Sequence, residues 1–285
     1  MKLTLLILFL VLKVIYPQEL ELLDTVGNFD KANSIAVNPA GFIFITDESS
    51  NMLYKTDTLG NFIKEVGGYG WSEMSFDTPV DVFATTLDVY VCDKNNSRIQ
   101  LFDKDLNYLS EFRTDKNENS DYNFAYPISL GISNQGDLFL LDADNSRIIK
   151  YDMVGKFSQV IGGNEAGSFA LSNPKKMAVS SYGNLFVIND EQIFVFDQFG
   201  NGILKLNIEF HPTNINITNE KLILNNDKII KYLDLMNGNK NFINYSLENS
   251  IDDEIVEGLV FNQRLYILTE NQIYIFKILP SEYKN

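Results

Sequence analysis

The sequence repeats itself about every 46 residues, and each repeat contains an alternating apolar segment that ends in a polar residue. The polar residues that end these segments are Asp47, Asp93, Asp142 and Asn189. Alternation with a period of two is typical of β-strands that bury one face. A fixed period of this length predicts a repeat protein in which each unit is a small β-sheet.

Each unit contains more than one strand. A polar loop follows each of these polar residues and leads to a second alternating segment, which in two units begins with the letters Asn-Ser-Arg-Ile, at residues 96–99 and 145–148. A glycine-containing turn, such as residues 59–61, then leads to a final segment. We therefore predict that every unit is a four-stranded antiparallel meander.

Prolines mark the joints between units, because proline lacks the backbone donor of a strand and suits its first residue. They are Pro79, Pro127, Pro174 and Pro212. Counting the units gives six, of which the fifth is short and the sixth has only three strands. Residues 19–27 precede the first unit, and residues 22–27 of this segment resemble residues 62–67, the end of that unit. We predict that they supply the missing strand and close a ring, which leaves no open array edge.

The first eighteen residues are typical of a secretory signal peptide. Met1 and Lys2 precede a run at residues 3–12 that is apolar except for Thr4. This run is much shorter than the roughly 20 residues of a membrane-spanning helix, and a basic start before an apolar run is typical of export signals. An uncleaved anchor is the alternative, because the residues before Pro17 are not the small ones that a signal peptidase prefers. Residues 19–285 are predicted to form a single domain.

The strand that ends in Asp, the Asn-Ser-Arg-Ile segment, the glycine turn and the proline at the next joint together resemble the repeats of the NHL-repeat β-propellers. Residues 68–79 are similar to the linkers between blades in that family. The resemblance implies an all-β, closed, six-bladed β-propeller of four-stranded blades, and its motifs specify a blade without specifying a chemistry. Because Arg98 and Arg147 recur with the repeat, we predict that they are structural and pair with Asp93 and Asp142 or with a neighbouring blade.

The charge balance argues against several partners. The chain has 38 acidic and 23 basic residues and a net charge of −15. Such a surplus of carboxylates disfavours the phosphates of nucleic acids and the surface of an anionic membrane. RNA binding, which is known for some NHL propellers, is therefore not expected.

The histidine and cysteine counts narrow the chemistry further. A single histidine, His211, cannot build the multi-histidine zinc site of the amidating lyases that NHL propellers resemble, and we expect it at the surface. The single cysteine, Cys92, cannot form an intrachain disulfide and is expected to be buried and inert.

Candidate binding residues fall on one face of the predicted propeller. In a meander, the turn between the second and third strands lies at the same end as the linker to the next blade, so this face collects the linkers and the first residues of each blade. The candidate ligand-binding residues on this face are Tyr69, Trp71, Asp81, Ser129, Lys176, Asn214 and Glu257.

Two functions fit this face. The one we favour is a noncatalytic, monomeric recognition module without a cofactor, which binds a protein, peptide or glycan through a polar, acidic face with Tyr69 and Trp71 as anchors. This module would be secreted, periplasmic or at the cell surface, without a stable membrane span. The alternative is a hydrolase similar to the lactonase-type propellers, in which Asp81, Asn214 and Glu257 provide oxygen ligands for calcium.

Overall fold

The computed structural model describes residues 17–114, 123–236, 241–247 and 250–280. These residues form six antiparallel sheets of four strands each. Consecutive strands pair along the chain within each sheet, so each repeat is the predicted meander. The predicted all-β, six-bladed propeller is confirmed. The described residues also include a short 3-10 helix at Asn164–Phe169.

The strands of the described residues are numbered in chain order. They are β1 (Leu20–Val26), β2 (Ala32–Val37), β3 (Phe42–Asp47), β4 (Met52–Asp57), β5 (Phe62–Gly67), β6 (Pro79–Ala84), β7 (Asp88–Asp93), β8 (Arg98–Asp103), β9 (Tyr108–Phe112), β10 (Pro127–Ile132), β11 (Leu138–Asp142), β12 (Arg147–Tyr151), β13 (Phe157–Ile161), β14 (Pro174–Val179), β15 (Leu185–Asn189), β16 (Gln192–Phe196), β17 (Gly202–Asn207), β18 (Asn214–Thr218), β19 (Lys221–Asn225), β20 (Ile230–Asp234), β21 (Ile243–Asn244), β22 (Glu257–Phe261), β23 (Arg264–Leu268) and β24 (Ile273–Ile278). Blades one to five are β2–β5, β6–β9, β10–β13, β14–β17 and β18–β21, and blade six contains β22, β23, β24 and β1.

The core lies between neighbouring blades. Because strand residues alternate between the two faces of a sheet, each blade presents apolar side chains to the blades on both sides. Between blades one and two, Phe44 of β3, Phe102 of β8 and Phe76 of the linker are all fully buried. The rings of Phe76 and Phe102 have centroids 6.0 Å apart. The alternating pattern of the repeat is therefore the pattern of the interblade core.

The first strands of the blades surround the axis of the ring and pass close to each other. At Gly131 of β10, a Cβ atom would lie 2.4 Å from Cγ2 of Val179 in β14. No side chain fits at that distance, so glycine at this position lets blades three and four meet at the axis.

The ring is closed by the N-terminal strand, as predicted. β1 pairs antiparallel with β24, from Leu20 opposite Ile278 to Val26 opposite Ile273, with a register shift between Leu22 and Asp24. This pairing completes blade six with a strand from the other end of the chain. Because the ring is closed, every blade packs against a neighbour on both sides, and no blade is left with an open face.

The propeller has two faces with different loops. We call linker face the end that carries the interblade linkers and the turns between second and third strands, including residues 68–78, 94–97, 143–146, 163–173 and 208–213. We call turn face the opposite end, with the turns between first and second strands and between third and fourth strands, including residues 58–61, 85–87, 152–156, 180–184 and 197–201.

The predicted signal peptide lies outside the described residues, except for its last two positions. Within the part of the chain that the structure describes, no helix is long and apolar enough to cross a membrane. The predicted boundary of the domain at residue 19 stays a prediction.

Candidate functional site

The centre of the propeller contains a network of buried polar side chains from the first strands of different blades. Five of the seven predicted site residues belong to it or border it, and each is less than one-tenth exposed. These are Asp81, Ser129, Lys176, Asn214 and Glu257, and they are joined by Ser34 of blade one.

A charged triad joins three alternate blades. Nζ of Lys176 in blade four lies 2.6 Å from Oδ1 of Asp81 in blade two and 3.9 Å from Oε2 of Glu257 in blade six. Asp81 also accepts hydrogen bonds from Oγ of Ser34 at 2.9 Å and from the backbone N–H of Leu130 at 2.9 Å. One carboxylate therefore contacts residues from blades one, three and four.

The remaining central side chains bind the backbone of the next blade. Oγ of Ser129 donates to the carbonyl of Met177 at 3.0 Å and accepts from its N–H at 3.2 Å. Glu257 accepts from the N–H of Ile35 at 3.2 Å. Buried polar groups that form hydrogen bonds across an interface fix the geometry of that interface. These contacts therefore set how the blades meet at the axis.

Blade five contributes a residue that the sequence analysis missed. Nδ2 of Asn216 donates to Oε1 of Glu257 at 2.8 Å, whereas Nδ2 of the predicted Asn214 donates to the carbonyl of Val256 at 3.1 Å. Blades one to four have a register shift at the start of the first strand, and β18 pairs with β19 without one. In blades two to four the proline is the first residue of the strand, but β18 begins two residues after Pro212. Counting two residues beyond the proline therefore selects Asn214 in blade five, although Asn216, the third residue of β18, reaches Glu257.

The buried setting shifts the pKa values of Lys176 and Glu257. Burial alone lowers the pKa of Lys176, but the nearby carboxyls of Asp81 and Glu257 outweigh this and hold the pKa well above its usual value. Burial raises the pKa of Glu257 above its ordinary value, against the attraction of Lys176. Lys176 is therefore charged at neutral pH and is the cation that the central carboxyls share.

The central network leaves little room. The cavity that Asp81, Lys176, Asn216 and Glu257 line has a volume of about 40 Å³. That is enough for a few water molecules, whereas small-molecule sites are roughly 300–1,000 Å³. This cavity is therefore smaller than the usual site of a small molecule.

The proposed calcium ligands do not fit calcium. The ammonium of Lys176 occupies the space beside Asp81 and Glu257 that the metal would need. Oδ1 of Asn214 already accepts a hydrogen bond from the N–H of Ile215 at 2.7 Å. Calcium needs about six to eight oxygen ligands. Among the described residues, no group of three His, Cys, Asp or Glu side chains is arranged to hold a metal ion.

The other two predicted site residues lie apart from the channel, on the linker before blade two. Tyr69 is 65% exposed and Trp71 is 69% exposed. Their rings contact each other edge to face, with centroids 5.7 Å apart and an interplanar angle of 66°. The structure thus divides the seven predicted residues into an exposed aromatic pair and a buried central group.

A buried arginine holds the linker that carries this aromatic pair. The guanidinium of Arg98 donates to the carbonyls of Trp71 at 3.1 Å, Ser72 at 3.0 Å and Ser75 at 2.7 Å. It also contacts the carboxylates of Asp93 at 2.6 Å and Glu111 at 2.7 Å. Arg98 is fully buried, although it carries a charge. Three hydrogen bonds from one side chain therefore hold the loop, and the two carboxylates hold the guanidinium in place.

The same device recurs in blade three. Nε of Arg147 donates to Oδ2 of Asp142 at 3.0 Å, and Nη2 donates to the carbonyl of Asn123 in the preceding linker at 2.8 Å. The prediction that Arg98 and Arg147 are structural partners of the repeat's aspartates is confirmed.

Blade four replaces this ion pair by a neutral pair. Asn189 stands opposite Gln192, at the strand positions where blade two has Asp93 opposite Arg98. Nε2 of Gln192 donates to Oδ1 of Asn207 at 2.6 Å instead of reaching the linker. An open groove of about 900 Å³ lies here. The sequence analysis missed this groove, although the change from Arg to Gln in the repeat was a visible signal.

His211 lies at the rim of this groove. It is exposed, as predicted, and its Nδ1 lies 3.4 Å from Oε1 of the equally exposed Glu191. The groove is lined on its other sides by residues of mixed charge, including Lys175 and Lys205. The residues present do not define one chemistry for this groove.

Together, six four-stranded blades and a ring closed by the N-terminal strand define a six-bladed β-propeller.

No family model matches the chain. Protein brain tumor of Drosophila melanogaster is 27% identical over 150 residues, which are 51% of this chain and 14% of that protein. The match therefore covers only a small part of that relative's length.

Solved structures share the fold. Virginiamycin B lyase from Staphylococcus aureus superposes with a TM-score of 0.62 at 14% identity, over 91% of this chain and 100% of that chain. A nidogen/laminin complex contains a chain with a TM-score of 0.59 at 13% identity, over 75% of this chain and 80% of that chain. Together with the repeats, these similarities confirm the resemblance to the NHL-repeat propellers.

Proposed function

We propose that this protein is an exported, noncatalytic recognition module that binds a protein partner through its linker face. The observation that carries the proposal is the contact between the buried Arg98 and the loop that exposes Trp71. Trp71 and Tyr69 are the anchors, and the rest of the protein is the rigid support that holds them. Export rests on the apolar run at residues 3–12.

The energetics of the loop favour recognition. A large aromatic side chain that is mostly exposed forgoes the stabilisation that burial would provide. Binding hot spots are enriched in Trp, Tyr and Arg, and a preorganised loop loses little entropy when it binds. A fully buried guanidinium that contacts three carbonyls of this one loop holds the aromatic pair in place before a partner arrives.

Two further observations support a protein partner over a small substrate. The central cavity has room for only a few waters, and the residues of the open groove beside His211 do not define one chemistry, so we favour the exposed aromatic pair as the binding site. A chain of similar fold is part of a nidogen/laminin complex, in which two proteins are bound. With a net charge of −15, the partner surface would be neutral or basic.

The test is capture of the partner from the extracellular and cell-envelope fractions of the source organism, with Trp71→Ala compared with the wild type. Because a central aromatic anchor is worth at least about 2 kcal/mol, we expect at least a tenfold loss of captured partner. The fold should be intact, with an unchanged thermal midpoint, because the side chain is mostly exposed.

Phe199→Ala is the matched control. Phe199 is 67% exposed, much like Trp71, but lies on the turn face. This variant should capture as much partner as the wild type. If Trp71→Ala captures the partner as well as Phe199→Ala does, the assigned role of the linker face is wrong.

A further inference from the structure

The linker before blade two carries aromatic side chains that the fold does not require. This linker and the one before blade four each have ten residues between a Gly-Gly pair and a proline. Phe76 and Leu171 stand at the same position in the two linkers, and both are buried. At the position of Trp71, the linker before blade four has Ala166. The repeat therefore accepts alanine there, and packing does not explain the tryptophan.

A second buried side chain, besides Arg98, fixes the shape of this linker. Oε1 of Gln100 accepts from the N–H of Met74 at 3.0 Å, and its Nε2 donates to the carbonyl of Ser75 at 2.6 Å. Gln100 is fully buried. Met74 has a φ of 64°, a left-handed conformation that is unfavourable for a residue with a side chain. The loop is thus held in one conformation by the protein itself.

Lysine ammonium groups cover aromatic rings elsewhere in the protein. Examples, with the distance from Nζ to the ring centroid, are Lys55 over Phe42 at 4.0 Å, Lys205 over Phe194 at 4.1 Å and Lys231 over Phe210 at 4.6 Å. Among the described residues, no cation lies over Tyr69 or Trp71. In their edge-to-face contact, one ring uses only its edge. The pair therefore offers a ring face to solvent, and such a face attracts cations.

A carboxylate without a partner stands two residues after Trp71. Glu73 is exposed and forms no hydrogen bond or ion pair with the residues that the structure describes. Glu111 of β9 differs, because it contacts Arg98 at 2.7 Å and Arg113 at 2.5 Å. Glu73 is therefore available to a cation from outside the protein.

The linker face has a larger surplus of carboxylates than the turn face. The loops named above for the linker face contain Glu73, Asp77, Asp144, Glu165 and Glu209 against Lys94 and His211. The loops named for the turn face contain Asp152 and Asp197 against Lys156. A basic partner is therefore attracted more strongly to the face that carries the aromatic pair.

We propose that the aromatic pair binds an arginine from a basic segment of the partner, with the guanidinium on an aromatic ring and its charge paired with Glu73. The guanidinium is planar, stacks on aromatic rings and donates two parallel hydrogen bonds to a carboxylate, so it fits this site better than a lysine ammonium. This inference rests on the proposed function and names the chemistry that the two anchors recognise.

Tryptophan fluorescence tests the inference, because Trp71 is the only tryptophan of the chain and its emission reports on this site. The probe is a capped peptide of alternating glycine and arginine, added to the full-length protein. Two comparison peptides carry lysine or the neutral analogue citrulline in place of arginine. We expect a saturable change in emission with the arginine peptide. Binding should be at least about threefold weaker for the lysine peptide and at least about fivefold weaker for the citrulline peptide.

Variants separate the aromatic pair from general attraction to an acidic protein. Tyr69→Leu removes a ring and keeps an apolar side chain, and Glu73→Gln removes the charge. Each should weaken binding of the arginine peptide at least about threefold. Tyr182→Leu, at a position of similar exposure on the turn face, and Glu165→Gln, in the linker before blade four, are the matched controls and should bind the peptide like the wild type.

Three results would overturn the inference. They are equal binding of the arginine and citrulline peptides, unchanged emission with every peptide, and equal losses in Glu73→Gln and Glu165→Gln. Lysine binding as tightly as arginine would overturn the choice of guanidinium. If Trp71→Ala still loses the captured partner after such a result, the recognition function stands and only the arginine is wrong. If it captures the partner normally, both proposals fail.

Discussion

Nζ of Lys176 lies 2.6 Å from Oδ1 of Asp81, although the two residues are 95 positions apart in the chain and belong to blades four and two. Glu257 of blade six lies 3.9 Å from the same ammonium. A single lysine therefore links the carboxyls of two other blades at the centre of the ring. The cavity beside these side chains has a volume of only about 40 Å³.

Replacing Lys176 should strongly destabilise the protein. In Lys176→Met, the carboxyls of Asp81 and Glu257 stay buried without their cation. Removing one member of a buried ion pair typically costs about 3–5 kcal/mol. Urea denaturation followed by circular dichroism should show this loss in the free energy of unfolding. Lys175→Met, at the exposed neighbouring position, is the control and should change stability by less than about 0.5 kcal/mol. Equal stability of both variants would show that the triad does not hold the blades together.

Glu257 should make the free energy of unfolding fall as the pH rises. Burial raises the pKa of this carboxyl above its ordinary value of 4.5 in the folded protein. The folded state therefore keeps the proton when the unfolded chain has lost it. The contribution of Glu257 to stability is fully present below pH 4.5 and is lost as pH rises through the folded pKa. Between pH 4.5 and 8, the free energy of unfolding should fall less with pH in Glu257→Gln than in the wild type. Parallel curves would contradict this assignment.

The ion pair of Asp93 and Arg98 in blade two should be replaceable by Asn and Gln, which stand at the same strand positions in blade four. Arg98→Met leaves Asp93 buried and unpaired, with an expected loss of about 3–5 kcal/mol. The double variant Asp93→Asn with Arg98→Gln copies Asn189 and Gln192 and should recover most of this loss. A double-mutant cycle in urea measures the coupling. If the double variant is as unstable as Arg98→Met, Asp93 and Arg98 do not act as a pair.

Cys92 should report global unfolding. Its thiol is fully buried, opposite Asp81 in the sheet, and burial raises its pKa well above the ordinary value. The thiolate is the reactive form, so the native protein should not react with a disulfide reagent at pH 8. Adding urea above the unfolding midpoint should release the thiol completely. Rapid labelling without urea would place Cys92 at an accessible site and would contradict its burial.

The repeat made most of the fold predictable. Residues 22–26 resemble the last strand of the first unit, so the sequence alone indicated that β1 completes blade six. Arg98 recurs with the same spacing from Asp93 as Arg147 has from Asp142, which indicated the ion pairs. Local patterns of this kind are repeated several times in one chain, so each copy supports the others.

The site was predictable only in part. Trp71 was found because a linker was recognised as exposed, whereas the partners of Lys176 depend on how blades far apart in sequence meet at the axis. Asn216 was missed because the prediction counted from the proline, and β18 begins two residues after Pro212 instead of at it.

The most direct test of the recognition function is hydrogen–deuterium exchange of the protein, free and bound to the captured partner, read by mass spectrometry. We expect the partner to slow exchange in residues 68–76, which carry Tyr69 and Trp71, and to leave residues 197–201 of the turn face unchanged. Slower exchange that is confined to the turn face, with residues 68–76 unaffected, would contradict the assignment of the linker face as the binding site.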